Sequence, residues 1–80
     1  MLKLQHNRKT VKEYATAYEL ADELEKVIEG APESWYKNTK LFLNQNAFAL
    51  AIKGAKITMG NGWRFINDSD DKPLGEVKIA

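Results

Sequence analysis

Apolar residues between positions 16 and 30 recur three and four places apart, the spacing of one face of an α-helix. Ala17, Leu20, Ala21, Leu24, Val27 and Ile28 share that face, and Tyr18, Asp22, Glu25 and Glu29 lie opposite. Thr16 and Glu19 stand at the S/T-x-x-E spacing in which two side chains satisfy backbone amides at a helix start. Gly30 suits the left-handed residue that ends a helix, and Pro32 prevents continuation. The pattern predicts one amphipathic helix with its acids in water.

Beyond position 45 the period changes to two. Phe48, Leu50 and Ile52 alternate with Ala47, Ala49, Ala51 and Lys53. Ile57 and Met59 alternate with Lys56 and Thr58, and Trp63 and Phe65 with Arg64 and Ile66. This is the pattern of half-buried strands. Gly54-Ala55 suits a type II′ turn, and Gly60-Asn61-Gly62 suits a three-residue loop. These turns set Lys53 opposite Lys56, Ile57 opposite Phe65 and Met59 opposite Trp63. One face then collects Phe48, Leu50, Ile52, Ile57, Met59, Trp63 and Phe65. The other carries Ala47, Ala49, Ala51, Lys53, Lys56, Thr58, Arg64 and Ile66. A β meander with one consistent apolar face follows.

Two alternatives stand beside this reading. An Asn61-Gly62 type I′ turn moves Trp63 and Phe65 to the outer face, next to Lys56, as a stacking platform for bases. Alternatively 47–53 forms a helix, capped by Asn46 and ended by Gly54, as its alanines and leucine favour. Leu2-Lys3-Leu4 and 11–15 read as short strands, 40–43 as another, and 77–79 as an edge strand. The expected fold class is α+β: a single domain over 1–80, an antiparallel sheet packed by one amphipathic helix.

Composition narrows this picture. Eighty residues at 44% hydrophobic and 29% charged fit one globular domain with a thin core. The chain has no cysteine, which excludes disulfides and thiolate metal sites. No apolar run approaches the roughly 20 residues that span a bilayer, and 1–10 lacks a signal-peptide pattern. A cytoplasmic protein without membrane association is expected.

The net charge of +1 conceals a segregated distribution. Positions 3–12 carry Lys3, Arg8, Lys9 and Lys12 and no acid. Positions 13–33 carry Glu13, Glu19, Asp22, Glu23, Glu25, Glu29 and Glu33 against Lys26 alone. Positions 34–67 carry Lys37, Lys40, Lys53, Lys56 and Arg64 and again no acid. An acidic block thus lies between two basic ones.

Catalytic chemistry finds little foothold. His6 is the lone histidine, with no serine or acid spaced to orient it, and reads as a surface residue. Asp68, Asp70, Asp71 and Glu76 suggest a calcium loop, but Lys72 and Pro73 fall where an oxygen ligand and a glycine are required. Gly60-x-Gly62 is too short for a phosphate-binding fingerprint. No enzyme, cofactor or metal is expected.

Two binding readings remain. In the first, Lys37, Lys40, Lys53, Lys56 and Arg64 form a basic sheet face that contacts nucleic acid or a nucleic-acid complex. In the second, the domain is a protein-binding regulator of the kind common among phage and mobile elements. It would act through the helix face of Tyr18, Asp22, Glu25 and Glu29, or through the segment lined by Ala47, Ala49 and Ala51. Small residues there admit close approach, and a tyrosine among acids is a frequent interface residue.

Overall fold

A computed structural model describes residues 1–68 and 72–78. Among them the chain forms five strands and three helices, an α+β domain. In chain order these are β1 (Leu2–His6), β2 (Lys9–Tyr14), α1 (Ala17–Val27), α2 (Glu33–Gln45), α3 (Ala47–Leu50), β3 (Ala55–Gly60), β4 (Trp63–Asn67) and β5 (Lys72–Glu76). The sheet order is β2-β1-β4-β3-β5. All neighbours pair antiparallel except β3 and β5, so the sheet is mixed rather than purely antiparallel.

Helix α1 forms where the apolar stripe predicts it. Ala17, Leu20, Ala21, Leu24 and Ile28 are buried, while Tyr18, Asp22, Glu25 and Glu29 face solvent. The predicted capping box does not form as such: Thr16 makes no side-chain cap, and the Glu19 carboxylate accepts the amide of Ala15, one residue before the N-cap, at 3.1 Å. The helix ends before Gly30: Ile28 is already extended at φ −112° and ψ 106°, and Gly30 takes φ +82° two residues further on.

The second half of the chain departs from the predicted meander. Residues 40–43 belong to α2, not to a strand. Residues 47–50 form α3 and 51–54 turn into β3, so the helical alternative holds over 47–50 but not to 53, Asn46 makes no side-chain cap, and no Gly54-Ala55 hairpin exists. Helices α2 and α3 are almost continuous across Asn46. Its amide donates to the Phe42 carbonyl at 3.1 Å, and its own carbonyl accepts the Leu50 amide at 2.9 Å. Helical geometry turns Leu50 inward and leaves Phe48 and Ile52 outside, so three residues predicted to share one face are divided.

The β3–β4 hairpin combines features of both predicted registers. Asn61 and Gly62 have φ of +50° and +84°, a type I′ turn, and Gly60 pairs with Trp63. Met59 is then the extra residue of a β-bulge, which restores the Ile57–Phe65 pairing that the longer loop requires. Its carbonyl accepts the indole N–H of buried Trp35 at 3.2 Å, tying the bulge to α2. Strand β5 runs at Lys72–Glu76 instead of 77–79; Val77 adds one amide bond to the Thr58 carbonyl at 2.7 Å, and Ile79 lies outside the described residues.

The core sits between the sheet and the helices. Leu2, Leu4, Tyr14, Ile57, Met59 and Phe65 from the strands meet Leu20, Leu24, Trp35, Leu43 and Leu50. At the sheet edge, Gly75 has no side chain because the Phe42 ring occupies that space.

Candidate functional site

Among the described residues, the other face of the sheet carries no helix. Register places two cross-strand rows on it. One runs Glu13, Lys3, Ile66, Lys56, Pro73, and the next runs Thr10, Gln5, Arg64, Thr58, Glu76. Directly opposed residues on one face touch. Ile66 is only 6% exposed although it lies outside the buried core cluster. Its neighbours on either side are Lys3 and Lys56, both half-buried, so that lysine stems flank it across the strands. The apolar residue thereby positions two cations.

Arg64 is fixed by the second row. Its Nε donates to the Gln5 amide oxygen at 2.7 Å, and the Gln5 amide nitrogen donates to the Thr10 hydroxyl at 3.3 Å. The bond uses Nε, so the terminal nitrogens of the guanidinium remain the donors for a ligand.

Two hairpin turns meet at this end of the sheet. Asn7 and Arg8, at φ +49° and +70°, close β1–β2 as Asn61 and Gly62 close β3–β4. The Asn7 amide donates to the Gly62 carbonyl at 2.9 Å, and the Asn7 side chain lies where a Cβ at Gly62 would project. Beneath the turns His6 stacks on Trp63, ring centroids 4.3 Å apart and planes 21° from parallel. The predicted surface histidine is therefore half-buried against an indole.

Between the turns and the rows lies an open hollow of about 320 Å³, lined by Asn7, Arg8, Lys56, Thr58, Gly62, Trp63 and Arg64. Arg8, Lys56 and Arg64 bring three cations to it, and no carboxylate lines it among the described residues. A left-handed backbone at a residue other than Gly or Asn costs on the order of 1 kcal/mol. Arg8 holds that conformation at the rim of the basic hollow.

Of the five predicted basic residues, the structure brings together Lys56 and Arg64 as diagonal neighbours on β3 and β4. Lys37 and Lys40 lie on α2, across the sheet, and Lys40 pairs with Glu25 at 3.0 Å. Lys53 sits in the turn before β3, outside the strand pairing that was expected to set it opposite Lys56. Lys3 and Arg8 join the patch instead. The sequence signal for them was present in the acid-free run 3–12, but only strand order puts β1 beside β4.

The second predicted surface is also rearranged. Tyr18 on α1 comes beside the alanine-lined segment, now α3, around a groove of about 150 Å³. Leu2, Ala15, Thr16, Ala47, Phe48 and Ala51 complete its lining. Asp22 and Glu29 are exposed on the same helix, and Glu25 is engaged by Lys40. Phe48 is 86% exposed, Ile52 58%, Leu41 56% and Tyr18 46%.

One polar cluster joins sheet and helix. Glu23 accepts from Lys12 at 2.7 Å and from the Tyr14 hydroxyl at 2.9 Å. The Lys12 bond first, then the Tyr14 bond, holds the Glu23 carboxyl below its ordinary range. Burial, then the hydrogen bond to Glu23, pushes the Tyr14 hydroxyl well above its own. The cluster is structural in geometry: it closes the seam between β2 and α1. Of the acids considered for calcium, Asp70 and Asp71 lie outside the described residues.

The fold and this hollow define a small α+β domain with an open basic sheet face. Set against protein-family models, curated proteins and solved structures, the chain matches none. No helix among the described residues is long and apolar enough to cross a membrane.

Proposed function

We propose that the protein is a non-enzymatic binding domain whose open sheet face takes the phosphate backbone of nucleic acid. The observation that carries this reading is Arg8, held in an unfavourable backbone conformation at the rim of a hollow shared with Lys56 and Arg64. Glycine is the residue a type I′ turn prefers there. An arginine retained in that place is explained by what its side chain contacts. Guanidinium groups recognise phosphate oxygens in a forked geometry, and Thr58 adds a hydroxyl donor. Trp63, with one face on His6, presents apolar surface at the same hollow for a sugar or base.

Few cations take part, so binding is weak and strongly salt-dependent. Three phosphate contacts predict a slope of about −2 to −3 in log K against log salt, and affinity in the non-specific range near 10⁻⁴ M. The decisive variant is Arg8→Gly. It relieves the backbone strain, so the melting temperature rises while affinity for single- and double-stranded DNA and RNA falls. Titrations at low salt with labelled oligonucleotides read the second effect, and a thermal melt reads the first. Absence of binding by the parent chain, or unchanged affinity of Arg8→Gly, overturns the proposal.

A further inference from the structure

The two hairpins are closed by the same device, followed by different residues. Asn7 and Asn61 each stand first in a two-residue turn, at φ +49° and +50°. After Asn7 comes Arg8, and after Asn61 comes Gly62. The difference bears on the chemistry of the asparagine side chain. Its amide carbon lies within reach of the backbone nitrogen of the next residue, and attack by that nitrogen closes a five-membered imide. A side chain on the next residue crowds the approach, and glycine alone has none.

The surroundings of Asn61 leave that step unobstructed. Asn61 and Gly62 are both exposed at the tip of their turn. The peptide that joins them is the central one of a type I′ turn, outside the strand ladder, and the Asn7 amide bonds to the Gly62 carbonyl on its far side. Four other asparagines are held. Asn38 and Asn44 lie within α2, where the nitrogen that would attack is committed to the helix. The side-chain amides of Asn46 and Asn67 donate to the Phe42 and Leu50 carbonyls, each at 2.9 Å. Gly62 also lines the basic hollow with Arg8, Lys56 and Arg64. Cations near its nitrogen favour the deprotonated form that attacks.

We propose that Asn61 is a site of spontaneous deamidation and that the reaction weakens the basic hollow. The Gly62 nitrogen gives up its proton and bonds to the Asn61 amide carbon; the bond from that carbon to the side-chain nitrogen breaks, and ammonia leaves. Water then opens the imide at either carbonyl. One opening yields aspartate, the other isoaspartate, whose main chain is longer by one carbon. Both place a carboxylate next to Gly62, at the rim of the hollow. Isoaspartate also lengthens a turn whose Gly62 carbonyl must meet the Asn7 amide. The modification stands apart from the phosphate reading, and only its effect on affinity rests on that reading.

The test incubates the folded full chain at mildly alkaline pH, digests it under acidic conditions and reads the peptides by mass spectrometry, with isoaspartate scored by enzymatic methylation. Asn61 is expected to convert ahead of the other asparagines, faster as pH rises, while Asn7 stays intact. Arg8→Gly should convert at Asn7 as well, because it gives both turns the same pair of residues. Asn61→Gln, whose longer side chain needs a six-membered ring, should show no early acidic form on ion exchange. The aged parent, separated by ion exchange and titrated with labelled oligonucleotides, should bind more weakly, with a salt slope shallower by about 1. Asn61→Asp should reproduce that loss without ageing. An Asn61 that persists, or that converts no faster than Asn7, overturns the site. Aged and Asn61→Asp chains that bind like the fresh parent overturn the effect on the hollow. A parent that binds no oligonucleotide while Asn61 still converts supports the site and overturns the phosphate reading, and the effect on affinity with it.

Discussion

The two faces of the sheet are built from the same strands and obey opposite rules. On the covered side the large side chains find apolar neighbours and the Trp35 indole is tied to the Met59 carbonyl, while the buried Thr39 hydroxyl has no partner among the described residues. On the open face Ile66, the one buried apolar residue outside the core among the described residues, is flanked by Lys3 and Lys56, and the arginine is held by an amide. The covered face gains from removing side chains from water. The open face gains from holding charged groups in fixed places at the water boundary. Such order at a surface is useful where a ligand of opposite charge must be met without further loss of side-chain freedom.

The sharpest way to break this contrast is to place a charge on each side. Leu24→Asp sets a carboxylate in the centre of the core and should unfold the domain, a loss of more than about 4 kcal/mol. A cooperative melt near the parent temperature would show that α1 does not face the sheet as described. Ile66→Thr, on the open face, should cost only about 1 kcal/mol, since lysine stems and water replace the lost contacts. It should also loosen Lys3 and Lys56, which weaker phosphate binding would report. A loss as large as that of a core truncation would place Ile66 in the core after all.

The seam between the faces gives the smallest effect. The Glu23 carboxyl is depressed in the folded state, so its contribution is full above the unfolded value of about 4.3 and is lost as pH falls through the lower folded value. Glu23→Gln should therefore melt below the parent at pH 7, with the gap closing under acid conditions. The carboxylate is exposed, so high salt should narrow the gap as well. A gap independent of both pH and salt would mean that the Lys12 and Tyr14 bonds do not carry it.

How much of this was legible in the chain differs by element, for a physical reason in each case. Helix α1 has a single apolar stripe and clear stop signals, and its buried set was readable residue by residue. The pairing of Ile57 with Phe65 was readable because alternation is strong there, although the bulge at Met59 was not. Helix α2 was missed because Leu41 on its outer side blurs the period that Trp35, Thr39 and Leu43 establish. Over 47–53, Phe48, Leu50 and Ile52 imitate a strand, and the helix at 47–50 with the turn that follows it separates them. The residues that hid the helices are thus the ones that remain exposed. The basic patch was half legible: an acid-free run marks cations, but the run from 34 to 67 traverses two helices and two strands on opposite sides of the sheet. Strand β5 gave no signal, since Pro73 and Gly75 are poor strand formers and tolerable only at an edge.

The strand order has a consequence for how the chain is made. Strand β1 is central, between β2 and β4, and Gln5 meets Arg64 across a separation of 59 positions. The first hairpin therefore emerges from the ribosome with one edge of β1 unpaired, and its partner β4 follows only after three helices and β3. Joining the two hairpins closes a long loop, a slow step in which non-local contacts must be found before they stabilise anything. Arrested nascent chains should accordingly stay protease-sensitive until Asn67 has cleared the exit tunnel, then become protected together. Protection of the first hairpin alone would show that β1 and β2 settle without waiting for β4. Until that closure the exposed edge of β1 can capture β4 of a neighbouring chain as readily as its own, so crowded synthesis favours exchanged hairpins over misfolded cores.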